Sequence, residues 1–430
     1  MVRAAGCMGF KIVVIGSGAR EHALVRSLLR GALRSEPREV VAIPGNAGIA
    51  EEARCVPAAG SAEALAAAAL WEKPDLVVVG PEGPLAEGLA DRLAHERVPC
   101  FGPTAAAARI EASKAFAKDV MARAGVPTAE AAVFDDPEEA KAHVRGACVV
   151  KLDGLAAGKG VIVCDDAAGA RRAIDELWMT GAHGAGPVRL LVEERLEGPE
   201  LSVIALTDGS AVLPLAPARD HKRLEDGDRG PNTGGMGAVS PPRDATPAVI
   251  DEVVRTVLQP TVRELAARGT PFRGALYAGL MLTPRGPRVL EFNCRLGDPE
   301  AQAILLRLRS DPLPLLLASA QGGLAGQEPS WDPRTAVAVV IAASGYPGTP
   351  RAGDEVGGLR DVQQSDDLWV LHAGTKAKEG RVVTAGGRVL TVAALGAGAA
   401  EARARAYQAA GRIRIEGSQM RRDIAAGEVE

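Results

Sequence analysis

Glu291 and Asn293 are the residues whose types and spacing point most directly to chemistry. They lie in the run Val289-Leu290-Glu291-Phe292-Asn293-Cys294-Arg295-Leu296-Gly297-Asp298-Pro299-Glu300. Its apolar start reads as a strand, and because side chains alternate across a strand the Glu and the Asn share one face. Two hard oxygen ligands at that spacing suit Mg²⁺, which takes its other oxygens from phosphates and water. Arg295 follows on a loop as a fork for carboxylate or phosphate. Asp298-Pro299 reads as an N-cap followed by a proline in the first helical position, which predicts a helix directly behind the site. An edge strand with a solvated Glu and a turn Asn would share this pattern, and a second element separates the two readings.

That element is Val149-Val150-Lys151-Leu152-Asp153-Gly154-Leu155-Ala156-Ala157-Gly158-Lys159-Gly160-Val161-Ile162-Val163. Two β-branched runs flank a loop with Gly154, Gly158 and Gly160, one lysine ending the first strand and another inside the loop. Closely spaced glycines let backbone N–H groups approach phosphate oxygens, and lysines act on them as point charges. It is not a Walker A loop, because glycine rather than Ser/Thr follows Lys159 and a strand follows the loop. Only ten of the fifty Lys and Arg residues are lysine, yet Lys114, Lys118, Lys151, Lys159 and Lys222 all lie between positions 114 and 222. A plain glycine-rich hairpin does not explain that placement.

Together the two elements resemble the ATP-grasp ligases, which clamp ATP between two antiparallel sheets and hold Mg²⁺ on a Glu-x-Asn strand. Further runs narrow the resemblance. Gly16-Ser17-Gly18-Ala19-Arg20-Glu21-His22-Ala23, Pro44-Gly45-Asn46-Ala47-Gly48, Val79-Gly80-Pro81-Glu82, Phe101-Gly102-Pro103-Thr104 and Ser113-Lys114-Ala115-Phe116 come in that order. Asp220-His221-Lys222-Arg223, Pro231-Asn232-Thr233-Gly234-Gly235-Met236-Gly237 and His372-Ala373-Gly374-Thr375 follow. From about residue 10 to about residue 424 the chain looks like the phosphoribosylamine–glycine ligases, an ATP-grasp family. Pro199, Leu152 and Ala301 depart from the family pattern without removing a motif side chain. Residues 1–9 are extra against it.

The resemblance implies ATP and Mg²⁺ (or Mn²⁺) as cofactors, and glycine and 5-phospho-β-D-ribosylamine as substrates. The metal is expected on Glu291 and Asn293. ATP is expected against Lys114, Lys151, Gly154, Leu155, Ala156, Gly158, Lys159 and Gly160, with adenine at Glu193, Glu194 and Leu196 and ribose at Glu200. Lys114, Lys151, Lys222 and Arg295 are the expected catalytic residues, neutralising charge as it moves. The phosphate of the ribosylamine is expected at Gly16, Gly18 and Arg20, with Glu21, Asn46, Gly80, Pro81 and Glu82 on the same substrate side. Arg295, Gly297 and Asp298 are expected near glycine, with Asp220 a further candidate.

The elements that must position these residues are legible as well. Strands at 12–15, 40–43 and 76–79 alternate with helices at 21–30, 62–71 and 85–96, which implies an open parallel sheet binding ligands at the carboxyl ends of its strands. Gly16-x-Gly18-x-x-Glu21 is not a dinucleotide fingerprint, since Glu21 replaces the third glycine and no acid ends the second strand. What remains is a helix N-terminus with free N–H groups, a ready anion site. Ser113 is expected to cap a helix to 124. A strand at 188–192 ending in Glu193-Glu194 is expected to pair with one at 201–206. The loop 226–237 holds five glycines and is expected to be irregular. The tail reads as strands at 336–341, 369–372 and 389–392 with a helix at 399–410, and it carries no catalytic motif of its own.

The expected class is therefore α/β, in three domains. An N-terminal open parallel-sheet domain (1–111) precedes an ATP-grasp domain (112–330) with a small lid subdomain at about 130–200, and a C-terminal mixed α+β domain (331–430) follows. With 430 residues, 47% hydrophobic content and net charge −4, the chain has ample core and no nucleic-acid footprint. No apolar stretch reaches the ~18 residues of a membrane span. Six cysteines without CxxC or metal spacing read as reduced buried thiols, hence a cytoplasmic protein, here taken as a monomer. Two rival readings are a carboxylase of the biotin or aminoimidazole type, which bicarbonate would drive, and a nucleotide sensor that binds ATP without turnover.

Overall fold

The structure, a computed structural model, describes residues 9–32, 37–155, 160–182 and 188–429. Val/Ile-rich runs buried on both faces make the first sheet. Its five parallel strands run in the order Arg54–Cys55, Arg38–Pro44, Phe10–Gly16, Leu76–Val79, Cys100–Phe101. The order reverses beside Phe10–Gly16, and the crevice for ligands forms at the carboxyl ends there. The expected helix at 85–96 is two short ones, Glu82–Ala86 and Leu89–His95, because Gly88 sits at φ 86° between them. That left-handed backbone cannot continue a right-handed helix.

Two antiparallel sheets follow. One is ordered Val212–Pro214, Glu200–Asp208, Arg273–Thr283, Gly286–Asn293; the other Ala131–Phe134, Leu190–Glu194, Cys148–Leu152, Val161–Cys164. The expected pairing of the strands on either side of residues 195–199 does not occur. Leu190–Glu194 pairs within the second antiparallel sheet and Glu200–Asp208 within the first antiparallel one. Pro199 and Gly198 break the extension between them, and Gly198 (φ 148°) lies where an added Cβ would be 2.1 Å from the Leu282 carbonyl oxygen. The chain thus crosses from one sheet to the other at this point. The second sheet packs its own small core of Val150, Cys148, Cys164, Ile174, Leu177 and Leu190 under the helices Pro137–His143 and Ala167–Ala182.

The C-terminal sheet takes in two earlier strands: its order is Arg219–Asp220, Gly237–Ser240, Thr335–Ala342, Arg388–Gly396, Leu368–His372. Between those two strands the segment expected to be irregular forms a hairpin, Arg223–Glu225 with Arg229–Asn232. Its glycines make the turn rather than prevent structure, with Gly227, Asp228 and Gly230 all at positive φ. One apolar core joins Leu24 and Leu28 of the first helix, Leu305 and Leu306 of the helix Glu300–Arg307, and Trp369 of the last sheet. No helix among the described residues is long and apolar enough to cross a membrane.

Candidate active site

A cavity of about 1170 Å³ opens between the two antiparallel sheets and reaches the loops of the parallel sheet and of the C-terminal sheet. The strand Gly286–Asn293 forms its floor, with Asn293 opposite Tyr277 and Glu291 opposite Gly279. A Cβ on Gly279 would sit tightly against Tyr277 Cε1 at 3.2 Å and Glu291 Cγ at 3.3 Å. Lys222 Nζ lies 2.9 Å from Glu200 Oε2 and 3.5 Å from Glu291 Oε1. Burial pushes the Glu291 carboxyl up, but Lys222, Lys151 and Lys114 outweigh it and hold it below the usual range. Burial likewise lowers Lys222, and Glu200, Glu291 and Asp220 outweigh it, so the ammonium stays charged. Asp220 is pushed well up, by burial first and then by Glu300, Glu200 and Glu291, against the pull of Lys222.

The lysines enter from opposite walls. Lys151 Nζ donates to Leu290 O at 2.8 Å and pairs with Glu193 Oε2 at 2.9 Å, tying the second antiparallel sheet to the floor strand. Lys118 lies 3.5 Å from the same Glu193 oxygen. The other oxygen, Glu193 Oε1, is buried without a partner among the described residues. Lys114 Nζ donates to Leu152 O (2.8 Å) and Gly154 O (2.9 Å), and burial lowers its pKa. Ser113 caps its helix through Phe116 N at 3.1 Å, as its residue type dictates, and also donates to Asp153 Oδ2 at 3.1 Å. The glycine loop is thereby fastened to a helix N-terminus. Glu194, Leu196, Leu155 and Gly160 line the cavity too, whereas Ala156, Gly158 and Lys159 lie outside the described residues.

At the far end Arg20, Pro81, Glu82, Arg295 and Asp298 line the wall. Arg295 Nε donates to Glu82 Oε2 at 3.2 Å, and its Nη2 lies 3.3 Å from Glu111 Oε1. Asp298 does not cap the helix behind it. The capping position falls on Pro299, and the Asp298 carboxylate instead meets Arg388 Nη2 at 2.8 Å and Gln302 Nε2 at 2.7 Å. Burial raises that carboxyl, and Arg388 and then Arg20 outweigh it to hold it below its usual range.

Several expected substrate contacts are used otherwise. Gly18 N donates to Glu21 Oε2 at 2.5 Å and Arg20 Nε to Glu21 Oε1 at 2.6 Å. Gly16, Gly18 and Gly80 make room for that carboxylate: an added Cβ would lie 2.6, 2.7 and 2.0 Å from Glu21 atoms. The helix N-terminus is thus filled by the Glu21 side chain rather than open to a phosphate, and of these residues only Arg20 is on the cavity wall. Asn46 is saturated by backbone, donating to Ser17 O and His372 O at 2.9 and 2.7 Å and accepting from Gly48 N and Ile49 N. Gly297 makes room for Glu300, whose Oε2 would be 2.4 Å from an added Cβ.

Sequence reading missed Glu111, Glu300 and Arg388. Glu300 Oε1 accepts from Ser202 Oγ at 3.0 Å, beside Tyr277. Glu111 had a faint signal, a lone acid in the alanine-rich helix Ala105–Ala112. Arg388 had none, because only the fold of the C-terminal sheet brings it to the cavity. Its Nη1 donates to Gly234 O (2.6 Å) and Asp298 O (2.7 Å), so the C-terminal segment does contribute to the site.

The carboxylate of Glu291 and the amide oxygen of Asn293 suit a hard divalent cation completed by phosphate oxygens. Among the described residues no group of three or more His, Cys, Asp or Glu offers a complete metal cage.

Family models for phosphoribosylglycinamide synthetase match along nearly the whole chain, the N domain at residues 10–111, the ATP-grasp (A) domain at 112–301 and the C domain at 336–427. The phosphoribosylamine–glycine ligase of Streptomyces coelicolor is 54% identical, covering 97% of this chain and 99% of that protein. That of Caulobacter vibrioides is 48% identical, covering 96% and 97%. The crystal structure of the Thermotoga maritima phosphoribosylamine–glycine ligase superposes with a TM-score of 0.81 at 34% identity, covering 96% of this chain and all of that one. A biotin carboxylase from Campylobacter jejuni, at 16% identity and TM-score 0.71, shares the fold over 96% of this chain and 93% of its own. The chain belongs to the phosphoribosylglycinamide synthetase family, with its N-terminal parallel-sheet, central ATP-grasp and C-terminal domains.

Proposed function

We propose that the chain joins glycine to 5-phospho-β-D-ribosylamine at the expense of ATP, giving glycinamide ribonucleotide, ADP and phosphate in purine synthesis. The observation that carries this reading is the floor strand itself: Glu291 and Asn293 face a cavity whose walls bring Lys114, Lys151 and Lys222 toward them. The ATP-grasp domain implies ATP and a divalent metal. Mg²⁺ or Mn²⁺ is assigned to Glu291 and Asn293, where it would neutralise phosphate charge. The triphosphate is assigned to Lys114, Lys151 and the loop 154–160, with adenine at the crossing segment beside Glu193, Glu194 and Leu196 and ribose at Glu200.

A carboxylate is a poor acyl donor, so a glycine carboxylate oxygen attacks the γ-phosphorus, the bond to the β-phosphate oxygen breaks, and ADP leaves. The ribosylamine nitrogen then attacks the carbonyl of glycyl phosphate, and phosphate departs with the oxygen that glycine supplied. The proton shed by nitrogen ends on phosphate, so no separate base has to store it. The lysines act by position and charge, compensating negative charge as it moves between phosphates. Arg295 and Asp298 are assigned to glycine, with Asp220 beside them. Arg20, Pro81 and Glu82 are assigned to the ribosylamine side. The small core under the second sheet suits a lid that closes as one body over the acyl phosphate.

ADP release tests the reading. It is expected to need glycine, and to rise to full turnover only with freshly made phosphoribosylamine. Since biotin carboxylases share the fold, ADP release driven by bicarbonate and indifferent to glycine would overturn it.

A further inference from the structure

Glu111 ends the last helix of the first domain, and its side chain turns under the loop that follows the floor strand. Three donors converge on it. Cys294 N donates to Oε2 at 2.7 Å, and Arg295 Nη2 lies 3.3 Å from Oε1. The Asn293 amide, oriented to suit its neighbours, donates its nitrogen to the same Oε1 at 2.9 Å and to Phe292 O at 3.2 Å. An amide has only one metal-binding atom, its oxygen. With the nitrogen held by Glu111 and Phe292, the oxygen is what Asn293 has left to offer the cavity it lines.

We infer that Glu111 is a positioning residue: it fixes the Asn293 amide so that oxygen rather than nitrogen faces the divalent cation, and it aims Arg295 from the same carboxylate. The inference rests on the assignment of that cation to Glu291 and Asn293. A carboxyl side chain suits this place, because all three neighbours donate and both of its oxygens accept. Glutamine would set an NH₂ against a donor. With the glutamine oxygen kept for Cys294 N, a backbone donor that cannot turn, the NH₂ faces Asn293, whose amide relieves the clash by turning over and pointing its nitrogen at the cation. Partners that orient metal ligands are typically worth about ten- to a hundredfold in metal affinity.

The test is Mn²⁺ binding to the full chain in the presence of ADP, followed by the loss of the free-ion paramagnetic resonance signal, with metal-free ADP affinity measured alongside. Glu111→Gln is expected to weaken Mn²⁺ about tenfold or more while metal-free ADP binds as before. A second variant guards against simple damage to the fold. In Glu111→Gln/Asn293→Asp the donor and acceptor of the pair are exchanged, and Mn²⁺ affinity is expected to return most of the way. Unchanged Mn²⁺ affinity in Glu111→Gln overturns the inference, as does a double variant no better than the single one. Glu291→Gln separates the two levels. If it binds Mn²⁺ like the wild type, the metal assignment is wrong and the role of Glu111 falls with it.

Discussion

Replacing Arg388 by alanine tests whether the C-terminal domain helps to build the site. The guanidinium reaches Asp298 Oδ2 at 2.8 Å, Asp298 O at 2.7 Å and Gly234 O at 2.6 Å, so one side chain pins the loop behind the floor strand to the segment before Gly237–Ser240. The side chains of the pair are 21% and 14% exposed, so screening by solvent is limited. Breaking a buried pair from one side costs about 3–5 kcal/mol. Gln302 still donates to Asp298 at 2.7 Å, which brings the expected loss to about 2–3 kcal/mol. Lysine is expected to recover less than half of that, because it cannot reach three oxygens at once. The pH dependence gives a signature that general damage would not. Arg388 holds the Asp298 carboxyl below 3.8, so its contribution is present above that value and is lost as pH falls through the lower folded value. The difference between wild type and Arg388→Ala in urea unfolding should therefore be constant near neutrality and shrink below about pH 4. Equal midpoints near neutrality would refute the reasoning.

Three further outcomes follow from particular contacts. His22 and His372 meet across the first and third domains, with His372 N donating to His22 Nδ1 at 2.8 Å, and burial lowers both rings, His372 to about 3. Their folded values lie below the unfolded 6.5, so the stability they give is complete above 6.5 and lost as pH falls, by about 2 kcal/mol near pH 5 for His372 and in the same direction for His22; a urea midpoint unchanged between about pH 7.5 and about pH 5 would contradict this. Lys151→Ala is expected to weaken nucleotide about tenfold or more while sparing glycine, and calorimetry showing unchanged ATP affinity would mean that Lys151 serves only Glu193. Gly80→Ala places a Cβ 2.0 Å from Glu21 Oε1 and should cost about 1–3 kcal/mol, so a wild-type unfolding midpoint would show that the Glu21 nest yields freely.

The elements legible in the sequence were those whose signals are local. Leu76–Val79 reads as a strand because a strand buried on both faces is a continuous β-branched run. Ala399–Ala410 is bracketed by Gly398 and Gly411, and its limits follow. The strands on either side of residues 195–199 look like neighbours in sequence, and only tertiary pairing assigns them to different sheets. Asp298 carries a capping signal, but an arginine ninety residues away claims its carboxylate. The same division holds at the site. Lys114, Lys151, Lys222, Glu291 and Asn293 announce themselves by rare residue types in fixed spacing, and the structure gathers them on one cavity. Glu21 and Asn46 sit in equally suggestive motifs, yet their polar atoms are consumed within the protein. Glu111 and Arg388 act through side chains and domains that no short window of sequence contains.

In the proposed reaction ATP activates the carboxylate of glycine. Glycine labelled with ¹⁸O in both carboxylate oxygens, turned over with ATP and phosphoribosylamine, tests it through the isotope shift in the ³¹P resonance of released phosphate. One ¹⁸O is expected in each phosphate and one in the new amide. Phosphate free of label, with both labelled oxygens retained elsewhere, would contradict it.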